Sequence, residues 1–445
     1  FRWRETDGGL VIERYLGSET SIAVPDMING KPVTAIGDYA FSPFRKNTTA
    51  PKRDLLKSIT HVVLPSTLVS IGEWAFHGCV SLQSVYIQAG IREIGEGAFN
   101  GCRALTGIVL PDGLKMIGAQ LFAFCDNLGS VEIPATVKRI EDYAFSRSES
   151  IRRVVFCGSL EDWCSIEFKS GISNPCFGGA QLSIAGSDLT EVTVPASIGK
   201  INKYSFTGAA GITSVTVPEG ITGIGDQAFF RCPDLQSVFI MRGCADIGKS
   251  AFSECRSLKR VVMDDDSVVH IRPHAFCDCT ALRDMNFPSS IRFIDLDAFG
   301  NTGLENVALK EGVMKIGERA FVYCINLEKV SMPDSVRVLG NYAFASCEML
   351  REINLSKRIK NIERMTFAGC TSLESIKIPP EVCSVSIHAF EDCGRLRELI
   401  VYGCKTEIFA PFMSVPKFDF TIYAPRDSLA EEFAVTCDYK FEYLL

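Results

Sequence analysis

A single phase runs through this chain. The phrase "IGEWAFHGCVSLQSVYI" returns as "IGEGAFNGCRALTGIVLP" and again as "IGERAFVYCINLEKVSMP". The aromatic of the recurrent Ala-Phe pair falls at Phe76, Phe99, Phe122 and Phe145. It resumes at Phe206, Phe229, Phe252, Phe276, Phe299, Phe321, Phe344, Phe367 and Phe390, in steps of 23 residues with one of 24 and one of 22. An earlier copy sits at Phe41. A chain of 445 residues would ordinarily divide into roughly two to four compact domains. A fixed period of this length predicts repeated supersecondary units instead, each unable to bury its apolar face alone and so obliged to stack on its neighbours.

Each unit has an interpretable pattern. Counted from the Phe, apolar residues stand at −8 and −5, a small one at −1, Cys at +3, Leu at +6, apolar residues at +9 and +11, and often Pro at +12. The piece from +6 to +11, as in Leu128, Val131 and Ile133, alternates near its end and is rich in β-branched residues, which predicts a short strand. Pro134 ends it, because proline cannot donate to a ladder. "IGEGAFNGC" is too short for a full helix and is read as one helical or 3₁₀ turn on the opposite side of the coil. About fifteen such units form a right-handed coil with a parallel sheet on its concave face, about 70 Å long at ~4.8 Å per strand. Phe should then lie on Phe, and Leu on Leu.

A stack needs closed ends. Residues 1–40 are expected to form a starting cap and first coil, with a hairpin signal at Asp7-Gly8. Residues 44–55 form a polar insertion. Residues 41–410 carry the repeat, with a variant coil and protruding loop at 157–188. Residues 411–445 should close the stack with a short helix N-capped by Ser428, with Glu431 at capping-box spacing. The whole is expected to be one continuous domain. The composition, 47% apolar and 22% charged, is too apolar for disorder. A net charge of −7 with scattered Lys and Arg gives no basic face for nucleic acid. No apolar run approaches the ~18 residues of a membrane span.

These residues resemble the BspA-type leucine-rich-repeat family of bacterial and protist surface proteins. The resemblance rests on "IGxxAFxxCxxLxxVxIP" in most units, "INGKPVTAIGDYAF" near the start, "CGSLEDWCSIEF" in the interruption and the Ser-Leu-Ala-Glu-Glu-Phe-Ala closing helix. It implies a leucine-rich-repeat solenoid that is secreted or held at the cell surface, with some members acting as adhesins toward host proteins or other cells. It supplies no catalytic residues and does not fix a ligand.

Ten of the 18 cysteines share the +3 slot: Cys79, Cys102, Cys125, Cys232, Cys255, Cys279, Cys324, Cys347, Cys370 and Cys393. They are expected to be buried, reduced thiols, since free Cys packs as a small apolar group and parallel stacking does not suit disulfide geometry. Off-phase cysteines such as Cys157, Cys164, Cys176, Cys244, Cys383, Cys404 and Cys437 leave room for one or two disulfides. His270, His274 and Cys277, beside Cys279 and Asp264 to Asp266, have residue types that suit zinc. Their spacing matches no metal signature, and His388 repeats the slot of His274, so scaffold is the preferred reading and no cofactor is expected. No nucleophile-elbow, zinc-protease or phosphate-loop motif occurs, so an enzyme is not expected.

Binding is expected on the sheet. The outward residue of each strand, at +10 (+9 for Ala308 in the 22-residue unit), runs Tyr86, Val109, Glu132, Val155, Thr216, Phe239, Val262, Asn286, Ala308, Ser331, Asn354, Lys377 and Ile400. The first part is apolar where solvent would favour polar residues. An exposed apolar stripe marks a partner site, although β-branched and aromatic residues also simply suit strands. Arg153, Arg260, Asp284, Lys329, Glu352 and Glu398 at +8 would form a charged rim. The expected ligands are a protein or glycan, bound by a monomer through Tyr86, Val109, Glu132, Val155, Phe239, Val262, Arg153 and Arg260. The alternatives are a spacer that displays a domain outside this sequence and, third, a metal-assisted enzyme that uses the His270 region.

Overall fold

The computed structural model describes residues 1–410 and 416–444; the expected start of the closing cap, residues 411–415, lies outside them. The chain forms two compact units: Phe1–Thr190 with Ile201–Ile212 and Arg231–Pro233, and Glu191–Lys200 with Thr213–Phe230 and Asp234–Leu445.

In both units every regular coil contributes two strands, on different sides. One is the expected strand of three or four residues. The other is a two-residue strand five to six positions before the Phe. In the first unit the longer strands pair in parallel as Ser21–Ala23, His61–Val63 and Ser84–Tyr86, and then as Gly107–Val109, Ser130–Ile133, Arg153–Phe156 and Gln181–Ile184. The short ones pair as Lys31–Ile36, Ser70–Ile71 and Glu93–Ile94, and as Met116–Ile117, Arg139–Ile140 and Glu167–Phe168. An antiparallel hairpin of Arg2–Thr6 and Gly9–Arg14 closes the start.

The second unit repeats the scheme. Five longer strands run in register from Glu191–Thr193 to Asp284–Met285, three from Asn306–Ala308 to Glu352–Asn354, and four from Ser375–Ile378 to Lys440–Tyr443. Six short strands from Gly223–Ile224 to Val338–Leu339 form the other ladder. Among the described residues there are about nineteen turns rather than about fifteen. The additional strands are Ser21–Ala23, Gln181–Ile184, Thr421–Ala424 and Lys440–Tyr443, which lack the Phe-phased pattern that reveals the others.

Stacked rings form the core. In the first unit Phe41, Phe76, Phe99, Phe122 and Phe145 lie 4.8, 5.3, 5.6 and 5.6 Å apart, centroid to centroid, with interplanar angles of 4 to 18°. In the second, Phe229, Phe252, Phe276, Phe299, Phe321 and Phe344 follow at 5.2 to 5.4 Å. These separations suit offset stacking, which adds about 0.5–1.5 kcal/mol per pair beyond the area buried.

The segment around each Phe is not helical. The residue at −2 is left-handed in copy after copy, as in Trp74, Gln120, Tyr143, Gln227 and Arg319, and so is the residue at +2, as in Gly78, Phe124, Arg231 and Tyr323. Two left-handed residues four apart interrupt any helix. They turn the Phe peptide outward along the stack instead: Phe76 N–H donates to Ala98 O and Phe122 N–H to Ala144 O, both at 2.8 Å. These inter-coil bonds offset the cost of about 1–2 kcal/mol for each non-glycine left-handed residue. A 3₁₀ turn occurs at the last stacked ring, Ile387–Phe390.

The cysteine slot completes the pattern. Each in-phase thiol donates to the carbonyl of the Phe one coil back: Cys79 to Phe41, Cys102 to Phe76 and Cys125 to Phe99 at 3.3–3.4 Å, and Cys255 to Phe229, Cys347 to Phe321 and Cys370 to Phe344 at 3.0–3.2 Å. Where the slot holds serine, Ser148 Oγ makes the same bond to Phe122 O at 2.6 Å. The residue is thus a buried donor as well as a filler. All the cysteines are free thiols.

The interruption at 157–188 is folded into the stack. Helix α2 (Leu160–Cys164), N-capped by a Ser159–Asp162 capping box, buries Trp163 fully. Its indole packs edge-on against Phe156 and Phe168 and donates to Ser205 O at 2.9 Å. Strands on either side of α2 join both ladders. Within this segment Ser187–Asp188 is an exposed two-residue strand. Helix α1 (Ala50–Lys57), in the early insertion, buries Leu56. Near the C-terminus, α3 (Leu429–Thr436) starts at Ser428, whose hydroxyl accepts from Glu431 N–H.

Candidate ligand-binding face

In each of the first four longer strands the alternation sends one side chain inward between two that face out. Val62, Val85 and Ile108 are buried. Their neighbours Val63, Tyr86 and Val109 are 45%, 65% and 58% exposed. Val63 lies opposite Tyr86 in the ladder, and Thr106 N–H donates to Gln83 O, joining the next strand to theirs. The flanking outward residues, Ser21, Ala23, His61, Ser84 and Gly107, add no Asp, Glu, Lys or Arg. The first four strands therefore present a face without fixed charge.

Charge enters with the next strands. Val109, Glu132, Val155 and Ser183 form one row, in which Glu132 and Val155 are half-buried. Arg153 pairs with Asp188 at 3.4 Å. Cys157 Sγ lies 3.4 Å from Glu132; burial, with that carboxylate beside it, pushes the thiol pKa up to about 11.

In the second unit Thr193, Thr216, Phe239 and Val262 share a row. Phe239 and Val262 are half-buried, less available than Tyr86. Arg260 pairs with Asp284 at 2.9 Å. Asn286 ends the row by exchanging two hydrogen bonds with the Met263 backbone. The site residues read from the sequence thus fall into two groups, one on each unit.

The zinc candidates do not gather. His270 Nε2 lies 2.6 Å from Asp295 and its Nδ1 lies 3.8 Å from Asp246, a carboxylate already held by Arg272. His274 occupies the left-handed −2 slot, 4.0 Å from Asp297. Cys277 turns to Asp278, and burial first, then that carboxylate, pushes its thiol up to about 12. Each group has its own carboxylate on a surface ladder. Among the described residues no three His, Cys, Asp or Glu side chains could share an ion.

One groove was not anticipated. It lies on the short-strand ladder of the first unit, has a volume of about 790 Å³ and has Gly37, Gly72, Gly95 and Gly118 along its floor, with Asp38, Glu73 and Glu96 beside them. The floor is a packing requirement: a Cβ on Gly72 would fall 2.4 Å from Asp38 Oδ1, and one on Gly95 2.6 Å from Glu73 N. The "IG" of each repeat could have signalled this close approach.

Parallel ladders on two sides of a Phe-stacked core define a leucine-rich-repeat β-solenoid. The chain belongs to the BspA type leucine rich repeat family, whose model matches residues 55–173, 182–303 and 292–410. Among solved structures it is similar to a leucine-rich repeat protein from Bacteroides ovatus (20% identity, 100% of this chain and 98% of that one, TM-score 0.46). It is also similar to a leucine rich cell surface protein from Faecalibacterium prausnitzii (22% identity, 99% and 94%, TM-score 0.37) and to the pneumococcal vaccine antigen PcpA (15% identity, 100% and 99%, TM-score 0.29). No curated protein matches. Among the described residues no helix is long and apolar enough to cross a membrane.

Proposed function

We propose that this chain is a non-catalytic binding protein of the cell surface, secreted or anchored there, and that it recognises a protein or glycan through the outward face of its longer strands. One observation carries the reading: Val63, Tyr86 and Val109 stand exposed, side by side, on strands whose outward positions hold no fixed charge. An exposed row of this kind is costly to leave in water and suits the apolar centre of an interface. Glu132, Val155 and the Arg153 pair border it on the same unit. Phe239, Val262 and Arg260 offer a second, shallower surface on the other. The family resemblance supports the location and the adhesin-like role. One domain built from both units, closed by the end caps, is the proposed organisation.

The test uses arrayed matrix proteins, mucins and glycans, probed with the purified chain and with two variants, Tyr86→Ala/Val109→Ala and Phe239→Ala. Loss of the bound ligand in the first variant, with unfolding unchanged, supports the first-unit face. Loss in the second alone moves the site to the other unit, and retention in both removes the proposed face.

A further inference from the structure

The coil from Leu355 to Ile362 breaks the charge pattern of its neighbours. Ten residues before the stacked Phe, the two preceding coils carry Glu311 and Asp334; this coil carries Lys357, followed by Arg358 and Lys360. With Arg337 from the coil before, these residues surround a groove of about 580 Å³, completed by Asp334 and Glu381. The two carboxylates engage two of the four cations: Lys357 Nζ lies 3.6 Å from Asp334 and Lys360 Nζ 2.9 Å from Glu381. Arg337 and Arg358 have no carboxylate partner among the described residues.

Their loop is fixed from below. Ser356 Oγ donates to Val336 O at 2.7 Å and accepts from Arg358 N–H at 3.1 Å. Lys357 N–H donates to Asp334 Oδ1 at 3.1 Å, and Asp334 N–H to Glu311 Oε1 at 3.0 Å. A backbone held in this way spends little ordering entropy on binding. The methylene stems of the four cations supply apolar surface below their charged ends.

The geometry points to a binding subsite for an acidic saccharide in this groove, with the Arg337 and Arg358 guanidinium groups around its carboxylate or sulfate and the aliphatic stems against the C–H face of the ring. A planar guanidinium matches a carboxylate or sulfate group in two-pronged hydrogen bonding. A phosphate backbone or an anionic membrane would require cations repeated along a stripe. Here Glu311, Asp334 and Glu381 flank a single pair. The chain's net charge of −7 opposes general adherence of polyanions, so binding must be local. None of these residues lies on the outward face of the longer strands, so this subsite stands apart from the proposed function.

The experiment measures binding of the full chain to immobilised polygalacturonate (carboxylate), dextran sulfate (sulfate) and uncharged dextran at two salt concentrations. At least one charged polymer should bind, more weakly at high salt, while dextran does not. Arg337→Ala/Arg358→Ala should lower that affinity about tenfold or more, in line with the loss of charge-assisted hydrogen bonds. Arg351→Ala/Arg395→Ala, which removes two exposed arginines outside the groove, should leave it unchanged. All four side chains are exposed, and circular dichroism verifies that both variants fold. Binding of neither charged polymer, equal losses in the two double variants, or tighter binding of single-stranded DNA or phosphatidylglycerol vesicles would overturn the proposal.

Discussion

The strands around Tyr86 and those around Lys329 have the same interior and opposite exteriors. Ile22, Val62, Val85 and Ile108 point inward in the first unit, as Val307, Val330 and Ile353 do in the second, all of them buried. Outward, the first set shows Val63, Tyr86 and Val109 among Ser, Ala, His and Gly. The second shows Asn306, Ala308, Lys329, Ser331, Glu352 and Asn354, with Lys329 bound to Glu352 at 2.8 Å. Both sets form parallel strands. Strand formation in this scaffold therefore does not depend on apolar outward residues, and β-propensity alone is a weak account of the Tyr86 row.

Changes to the shared interior should be largest and alike in the two units. Phe99→Ala and Phe321→Ala should each cost about 3–5 kcal/mol, the usual range for truncating a buried ring, measured by denaturant unfolding. A cost under about 1 kcal/mol at either would show that ring to be loosely held. Changes to the exteriors should separate the units. Tyr86→Ala/Val109→Ala should weaken ligand binding by about thirtyfold, the ~2 kcal/mol of an interface hot spot. Lys329→Ala/Glu352→Ala should leave ligand binding unchanged in the same titration.

The thiol donor gives a smaller interior effect. Cys347→Ala removes one of the two donors to the Phe321 carbonyl, leaving Cys324 N–H at 3.3 Å, and should cost about 1 kcal/mol, whereas Cys347→Ser should retain most of the stability, as Ser148 does naturally. Equal losses from alanine and serine would reduce the slot to packing. On stability, Lys329→Ala/Glu352→Ala should cost no more than about 1 kcal/mol, since exposed ion pairs contribute little. Cys157 offers the mildest probe. With its thiol pKa raised to about 11, its alkylation at pH 8 should be slow and should accelerate as pH rises toward 11. Bound ligand should slow it further if the interface extends to Glu132.

The interior rows were legible because most coils repeat the same inward demand: Phe on Phe, Cys beneath Phe, Leu behind the strand. The turns were not. Left-handed backbone at −2 falls on Trp74, Gln120 and Arg319, side chains that give no sign of it, because the conformation is held by their N–H bonds to the next coil and not by local preference. The coil that holds Trp163 was concealed because a short helix, Leu160–Cys164, is inserted where the Phe-phased pattern is missing. Of the candidate site, the row and its exposure at Tyr86 and Val109 could be read from the two-residue alternation. The half-burial of Phe239 and Val262 could not, since the same alternation leaves Tyr86 and Val109 exposed. The groove between Arg337 and Arg358 depends on juxtaposed coils and carries no short motif, whereas the glycine-floored groove was marked only by the recurrent "IG".

The most direct measurement combines affinity and unfolding for the triple variant Val63→Thr/Tyr86→Thr/Val109→Thr. Threonine keeps β-branching and strand preference while removing the apolar surface. Unfolding free energy should stay within about 1 kcal/mol of the parent, as for exposed substitutions, and ligand affinity should fall by at least about thirtyfold. Full affinity in the folded variant would contradict the account, and so would a stability loss of several kcal/mol.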